Sequence, residues 1–436
     1  MIYFVLYAVL LVVVVLLYIK NGVKLSLFNI YFGLFLLFYG PAFFIYNDDN
    51  NLFEKDYTIT TAQMLTTFVV CFFIGKFIFN KRHSKKLIER TNYVNWIDKL
   101  KHEKIAINSG FLRVLVLFTT VVIALGLFLY GGITSLLSLI RNPFADAQVV
   151  KDLRAEGGVS GWIAPLYTYT IAGLARLISF VFIGWAFQRR SLILKILGLA
   201  FAFLLGVAYL ANLSKSSFIV YYTQLLFFLL LLFNVRINFK KVIVLLCLIV
   251  PVLVFIYIVA TQSSSASQAS SLIVNRIFNE PNRVLQLYPE FYPRIYPYAN
   301  GLNIRVIHDL FSDDKFIPAN IAVASGLEKV SFNAMFIADA YVDFSFFGII
   351  FQSILVGYLL SYLDFLVFSR NNFLMKALFA SLLFGIFALI NSGLIASLFA
   401  FGLITLPIWS YLLEKNSKRR RAISRNVFPT IKSQAT

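Results

Sequence analysis

Residues 374–412 decide the class of fold, and they read LMKALFASLLFGIFALINSGLIASLFAFGLITLPIWSYL. Two apolar runs are separated here only by the turn residues Asn391, Ser392 and Gly393. Each run approaches the length of about 20 residues with which a helix crosses a bilayer. The stretch therefore predicts two membrane-spanning helices joined in a tight hairpin.

The rest of the chain has the same character. Of its 436 residues, 60% are hydrophobic and 14% are charged, whereas a soluble domain carries about 25% charged residues. This composition excludes a soluble enzyme, a disordered regulator and a disulfide scaffold. The two cysteines, Cys71 and Cys247, lie inside apolar runs, so we expect no disulfide between them.

Eleven apolar runs reach spanning length, which predicts an all-α polytopic membrane protein with about eleven transmembrane helices. The predicted spans are 1–19, 25–46, 59–79, 112–131, 161–187, 192–212, 218–235, 242–260, 345–368, 374–392 and 394–412. The chain then divides into helices one to eight with an external loop at 132–160 (1–260), a large external loop (261–344), helices nine to eleven (345–412) and a basic tail (413–436).

The positions of the charges predict the orientation. With the N-terminus outside, 26 of the 39 Lys and Arg residues fall in inside segments and 11 in outside segments, while 15 of the 20 acidic residues fall outside. Cytoplasmic loops are enriched in Lys and Arg. The pattern predicts an external N-terminus and a cytoplasmic C-terminus, and it accounts for the net charge of +19 without nucleic acid as a partner.

The loop 261–344 is rich in aromatic and proline residues over 278–298, so we expect an ordered segment at the membrane surface. Two interpretations of its aromatic residues, Tyr288 and Tyr292 among them, stay open. They form an interface belt at the level of the lipid headgroups, or they form a platform on which sugar rings pack.

Arginines are the second feature of the external segments. Arg276, Arg283, Arg294 and Arg305 lie in the large loop, and Arg154 lies in the loop 132–160. If residues 271–287 are helical, Arg276 and Arg283 share a face two turns apart. The arginines then converge on one anion, since a guanidinium matches phosphate oxygens; alternatively, they snorkel or pair with acids of the same loop.

The candidates for a general base are His308, which is followed by Asp309, then Glu280, and the acids at 339–343, which are Asp339 and Asp343. Alternatively, His308 is a surface residue with no function. Asp339 and Asp343 open the ninth span, and Arg176 lies in the middle of the fifth. Ionisable groups at such depths usually face a cavity, although Arg176 has helix-end carbonyls as alternative partners.

Other common signatures are absent from the sequence. It contains no nucleotide-binding glycine loop, no zinc-ligand cluster and no pair of Gly/Pro-broken helices of the kind that marks secondary transporters.

Four features together resemble the Wzy-type polymerases of O-antigen and other oligosaccharide repeat units. They are the Phe-rich multi-helix composition, Arg154-Ala-Glu-Gly-Gly158, Asn275-Arg-Ile-Phe-Asn-Glu-Pro-Asn-Arg283 with the later Gly301, and Asn333-Ala-Met-Phe-Ile-Ala-Asp-Ala-Tyr-Val-Asp-Phe-Ser-Phe-Phe-Gly348. Family members often have Asn-Phe-Gly where this chain has Asp343-Phe344-Ser345, so no role is carried over to Asp343.

The resemblance implies a metal-independent, cofactor-free glycosyltransferase of the GT-C type in the bacterial inner membrane. Its substrates would be undecaprenyl-diphosphate-linked oligosaccharides on the periplasmic face, and a chain-length regulator protein would be a further partner. The arginines would then bind the diphosphate or anionic sugars, and His308, Glu280 or Asp339 would be the base. The alternatives are an O-antigen ligase that transfers polymer to the lipid A core, a lipid-oligosaccharide flippase or other transporter, and a non-catalytic assembly scaffold.

Overall fold

The computed structural model describes residues 2–21, 25–42, 55–83, 109–129, 163–189, 191–211, 215–233, 275–304, 334–370 and 372–415, with the single positions 137, 235, 308 and 311. Within these ranges the regular structure is entirely helical. The all-α prediction is confirmed for this part of the chain.

Thirteen helices are found in the described ranges. They are α1 (Ile2–Asn21), α2 (Leu27–Tyr39), α3 (Lys55–Arg82), α4 (Ser109–Ala124), α5 (Ile163–Tyr169), α6 (Ala175–Gln188), α7 (Leu192–Ala211), α8 (Lys215–Leu232), α9 (Glu280–Phe291), α10 (Phe336–Ser369), α11 (Phe373–Asn391), α12 (Leu394–Phe399) and α13 (405–415). Three π-helical turns adjoin them: Leu125–Leu129 after α4, Thr170–Leu174 between α5 and α6, and Asn275–Asn279 before α9.

Six helical segments of the described residues are long and apolar enough to cross a membrane, which makes the chain a multi-pass membrane protein. They are Asp56–Arg82, Ser109–Phe128, Leu166–Gln188, Leu192–Tyr209, Phe336–Ser369 and Phe373–Asn391. Each predicted span except 242–260, which lies outside the described residues, overlaps a helix. The count of eleven crossings and their orientation stay predictions.

The eleventh predicted span is interrupted. The run 394–412 was expected to be one helix, but α12 ends at Phe399 and α13 begins at 405. Gly402 lies between them with φ of 96°, a conformation that costs a glycine little. The Ile404 N–H closes the turn on the Leu398 carbonyl at 2.9 Å. A hydrophobic run does not reveal such a break because apolar residues line both halves.

The ninth span differs in its start. It was expected at 345, but α10 begins at Phe336 and is broken at Phe344 (φ −141°, ψ 25°) and Ser345 (φ 54°, ψ −145°). The eight residues before this break therefore form a separate short helix, and they contain Asp339 and Asp343.

The helices form two compact units, each assembled from separate parts of the chain. Unit 1 combines Met1–Asn95, Phe239–Ser369 and Ile386–Ser397, and unit 2 combines Trp96–Asn238, Arg370–Gly385 and Leu398–Thr436. All residues of the candidate site below belong to unit 1.

In unit 1, α3 and α10 pack with their backbones in direct contact. A Cβ atom on Gly75 would collide with the Ile354 carbonyl, and one on Gly357 would collide with the Phe72 carbonyl. Small residues permit this close approach of helices in membranes. Beside the crossing, the rings of Phe28 in α2 and Phe72 in α3 stack at 4.3 Å.

We expect Gly357→Ala to lower the thermal stability of the protein in detergent, because the added methyl group forces α3 and α10 apart. Overpacking of this kind costs about 1–3 kcal/mol. Gly33→Ala in α2 is the matched control, since nothing lies within 4 Å of its Cβ position. Equal melting temperatures for the two variants would contradict the close packing.

In unit 2, Arg176 of α6 is almost fully buried, with 1% of its surface exposed. Its Nε donates to the Tyr209 hydroxyl, and its Nη1 donates to the Gln224 Oε1 at 3.4 Å. Its guanidinium carbon lies 3.3 Å from the centroid of the Phe384 ring. The Gln224 Nε2 in turn donates to the Ala380 carbonyl at 2.9 Å. The partners of this charge are thus neutral side chains of neighbouring helices.

We expect Arg176→Ala to destabilise unit 2 by more than about 2 kcal/mol, since it opens a cavity and leaves buried polar partners behind. The exposed Arg189, which lies over the Trp185 ring at 5.5 Å, supplies the control Arg189→Ala. Thermal melts of both variants measure the difference in stability. If Arg176→Ala melted at the same temperature as Arg189→Ala, the buried contacts of Arg176 would contribute little.

Candidate functional site

The segment 275–304 carries most of the predicted site residues that the structure describes, and α9 is its central element. One face of this helix is exposed and bears Glu280 and Arg283, while the opposite face buries Leu285 and Tyr288. Pro281 lies in the first turn, where a missing N–H costs nothing. The segment is a helix followed by turns, whereas its proline and aromatic content predicted an ordered loop with fixed turns.

Buried amide side chains hold α9 in place. The Asn282 Nδ2 donates to the carbonyls of Phe278 at 2.7 Å and Phe38 at 2.8 Å. The Thr58 hydroxyl donates to the Gln286 Oε1 at 3.3 Å. These bonds tie α9 to α2 and α3, and they fix the face on which Tyr288 lies.

The break in α10 is supported by Asp343, which is only 2% exposed. Its Oδ1 accepts from the backbone N–H groups of Gly301 at 3.1 Å and Asn303 at 3.2 Å. Its own carbonyl accepts from the Asn300 N–H at 3.0 Å. The turn has φ of 50° at Asn300 and 91° at Gly301, conformations that Asn and Gly tolerate best. Asp343 therefore fastens the turn 299–303 to the end of the short helix.

Asp339 lies one helical turn before Asp343, so both carboxylates are on the same side of the helix. Asp339 is partly exposed, and the Asn303 side chain forms a hydrogen bond with it. Gly393 packs so closely against Asp339 that a Cβ atom there would collide with Oδ2. The hydroxyl of the preceding Ser392 is buried without a hydrogen-bond partner among the described residues. Asp339 is thus held on two sides and open on another.

Two tyrosines stand close to this carboxylate. Burial raises the pKa of Tyr288 well above its ordinary value, and the charge of Asp339 raises it further. Burial also raises the pKa of Tyr292 to about 12, and Tyr296, Asp339 and Asp343 add to that shift. Both phenols therefore stay protonated at neutral pH and keep their ability to donate a hydrogen bond.

Of the ten predicted site residues, the structure brings three together: Asp339, Tyr288 and Tyr292. The two rings are only 1% and 6% exposed. In this conformation they present no open face on which a sugar ring can pack. What joins them to Asp339 is an electrostatic interaction with its carboxylate.

The other described candidates lie elsewhere on the segment. Glu280 and Arg283 are exposed on the outer face of α9. Arg294 is exposed and donates to the Tyr57 hydroxyl. His308 is half-buried, and its backbone N–H donates to the Ile304 carbonyl at 2.9 Å.

Arg154, Arg305 and the side chain of Arg276 lie outside the described residues. The helix that carries Arg276 begins with the π-helical turn Asn275–Asn279. The wider spacing of a π turn changes the register before α9. The α-helical argument that placed Arg276 and Arg283 on one face therefore does not extend across it, and their convergence stays a prediction.

Asn303 and Gly393 were not among the predicted site residues, and Asp343 was predicted only as one of the acids available as a base. The four-residue spacing of the two carboxylates was visible in the sequence. The contacts of Asn303 and Gly393 with Asp339 join positions that are far apart in the chain, and no local pattern indicates them.

No protein family model matches the chain, and neither a curated protein nor a solved structure matches it.

Proposed function

We propose that this protein is a membrane glycosyltransferase that polymerises lipid-linked oligosaccharide repeat units. The observation that carries the proposal is Asp339, a partly exposed residue whose carboxylate is hydrogen-bonded to the Asn303 side chain and whose charge raises the pKa values of the protonated Tyr288 and Tyr292. A carboxylate in such a setting suits the deprotonation of an acceptor hydroxyl.

The leaving group in this reaction is a lipid diphosphate, and its developing charge requires cationic donors. Arg283 and Arg294 are exposed on the same segment as Tyr288, and we propose that Arg154, Arg276 and Arg305 join them. The acceptor oxygen forms a new bond to the anomeric carbon of the growing glycan, and the bond from that carbon to the diphosphate breaks. The base takes the acceptor proton.

The proposed setting is the bacterial inner membrane, with eleven crossings, an external N-terminus and the site on the periplasmic side. The substrates are undecaprenyl-diphosphate-linked oligosaccharides, and a chain-length regulator protein is a proposed partner. The excess of Lys and Arg in the predicted inside segments supports this orientation.

The glycans of a strain that lacks this gene test the proposal. We expect single repeat units in the deletion strain and a ladder of repeat units after complementation with the wild-type chain. If the deletion strain keeps polymer on the lipid carrier but none on the lipid A core, the protein is a ligase. If the glycan profile does not change, the glycosyltransferase proposal is wrong.

A transporter of lipid-linked oligosaccharides is the second candidate, and the two interrupted helices favour it. Breaks at Phe344–Ser345 and at 400–404 resemble the discontinuous helices that line transport sites. A flippase would leave repeat units on the cytoplasmic face of the deletion strain, whereas a polymerase would leave them on the periplasmic face. Labelling of intact spheroplasts with a membrane-impermeant, glycan-specific reagent distinguishes the two.

A further inference from the structure

We propose that Asp339 is the general base and that Asp343 and Asn303 are positioning residues that act through it. This inference rests on the proposed function. It selects one base from the four sequence candidates, and it assigns a positioning role to two residues for which the sequence analysis gave none.

The first step is that solvent exposure distinguishes the two carboxylates. Asp343 is 2% exposed, and its Oδ1 already accepts two backbone N–H groups. Asp339 is partly exposed. A general base must come within hydrogen-bond reach of the proton that it removes. Of this pair, only Asp339 meets that condition without rearrangement of the turn.

The second step is that hydrogen bonds of Asn303 link Asp343 to Asp339. Asp343 accepts from the N–H of Asn303, and the side chain of the same Asn303 bonds to Asp339. Asn303 therefore joins the two carboxylates through its backbone and its side chain. Because Asp343 fixes the turn, it fixes the point from which the Asn303 amide orients the base. Support of this kind keeps a reactive group within about 0.5 Å of its productive position.

A series of variants separates positioning from charge. Asn at position 343 keeps the oxygen that accepts from Gly301 and Asn303, whereas Ala removes it. We expect Asp343→Asn to retain activity within about threefold of wild type. We expect Asp343→Ala and Asn303→Ala to lower kcat about 10- to 100-fold with little change in KM, because misplacement of a reactive group by about 1 Å costs this much.

The measurement is steady-state transfer by purified full-length protein in lipid nanodiscs with a synthetic lipid-diphosphate oligosaccharide. The double variant Asp343→Ala/Asn303→Ala should lose no more than the worse single variant, since both act through the same contact. Thermal melts identify any variant that is unfolded. Asn303→Ala keeps the backbone bond to Asp343, so it tests the coupling even if Asp343→Ala does not fold.

The proposal is overturned if Asp343→Asn is as inactive as Asp343→Ala, because the charge of Asp343 is then required directly. It is also overturned if Asn303→Ala has the kcat of wild type, or if the losses in the double variant multiply. These outcomes need an active wild-type protein. A wild-type protein that transfers no glycan instead overturns the proposed function, and the inference with it.

Discussion

Replacement of Asp339 by Asn should lower kcat for glycan transfer by about 10²- to 10⁴-fold, the range that a general base contributes. The amide has nearly the same shape as the carboxylate, so it keeps the contact with Gly393 and a hydrogen bond with Asn303. It cannot accept a proton from a sugar hydroxyl. We therefore expect KM to change little while kcat falls, a pattern typical of a lost interaction in the transition state.

Two other base candidates provide the comparison for this prediction. Glu280→Gln and His308→Ala should retain kcat within a few-fold of wild type, because we propose Asp339, and neither of these two residues, as the base. A glycan ladder of full length in the His308→Ala strain would remove His308 as a candidate. Loss of activity in His308→Ala together with an active Asp339→Asn would show that the base has been assigned to the wrong residue.

Gly393→Ala should lower kcat by about 10²-fold, although position 393 carries no chemistry of its own. The added Cβ atom would occupy the position of the Asp339 Oδ2. The carboxylate must therefore move, and displacement of a reacting group by about 1 Å has an effect of this size. Purified Gly393→Ala protein in the same transfer reaction measures it, with a thermal melt to confirm that the protein is folded.

Ser392→Ala is the control for the turn itself. It changes the neighbouring residue but removes only a hydroxyl that has no partner among the described residues. We expect it to keep the kcat and the melting temperature of wild type. If Gly393→Ala and Ser392→Ala had the same kcat, the contact between Gly393 and Asp339 would have no role in activity.

The sequence predicted the helices well because a membrane span is a local property. A run of about 20 apolar residues is sufficient to recognise one, and α7 (Leu192–Ala211) lies almost where the run 192–212 placed it. The break at Gly402 escaped this method, because hydropathy does not change across it and its cause is a local backbone conformation. The break at Ser345 coincides with the predicted start of the ninth span, but the short helix before it was not predicted.

Of the site residues, only the titratable ones could be predicted from the sequence. Asp339 was found because a carboxylate at the start of an apolar run is unusual, and Tyr288 and Tyr292 were found by their number within one loop. The sequence gives no indication that Tyr288 is buried, because that depends on the amides of Asn282 and Gln286 fixing the face of α9. Asn303 and Gly393 acquire their roles only when three separate segments meet.

Transfer by the purified protein tests the central claim most directly. Full-length wild-type protein and Asp339→Asn, each in lipid nanodiscs, would be incubated with undecaprenyl-diphosphate-linked repeat units and no other enzyme, and the products would be separated by size. We expect wild type to form a ladder of repeat units and Asp339→Asn to leave the single unit unchanged. A folded wild-type protein that forms no longer product, or a ladder of equal yield from Asp339→Asn, would contradict the assignment of this site to glycan transfer.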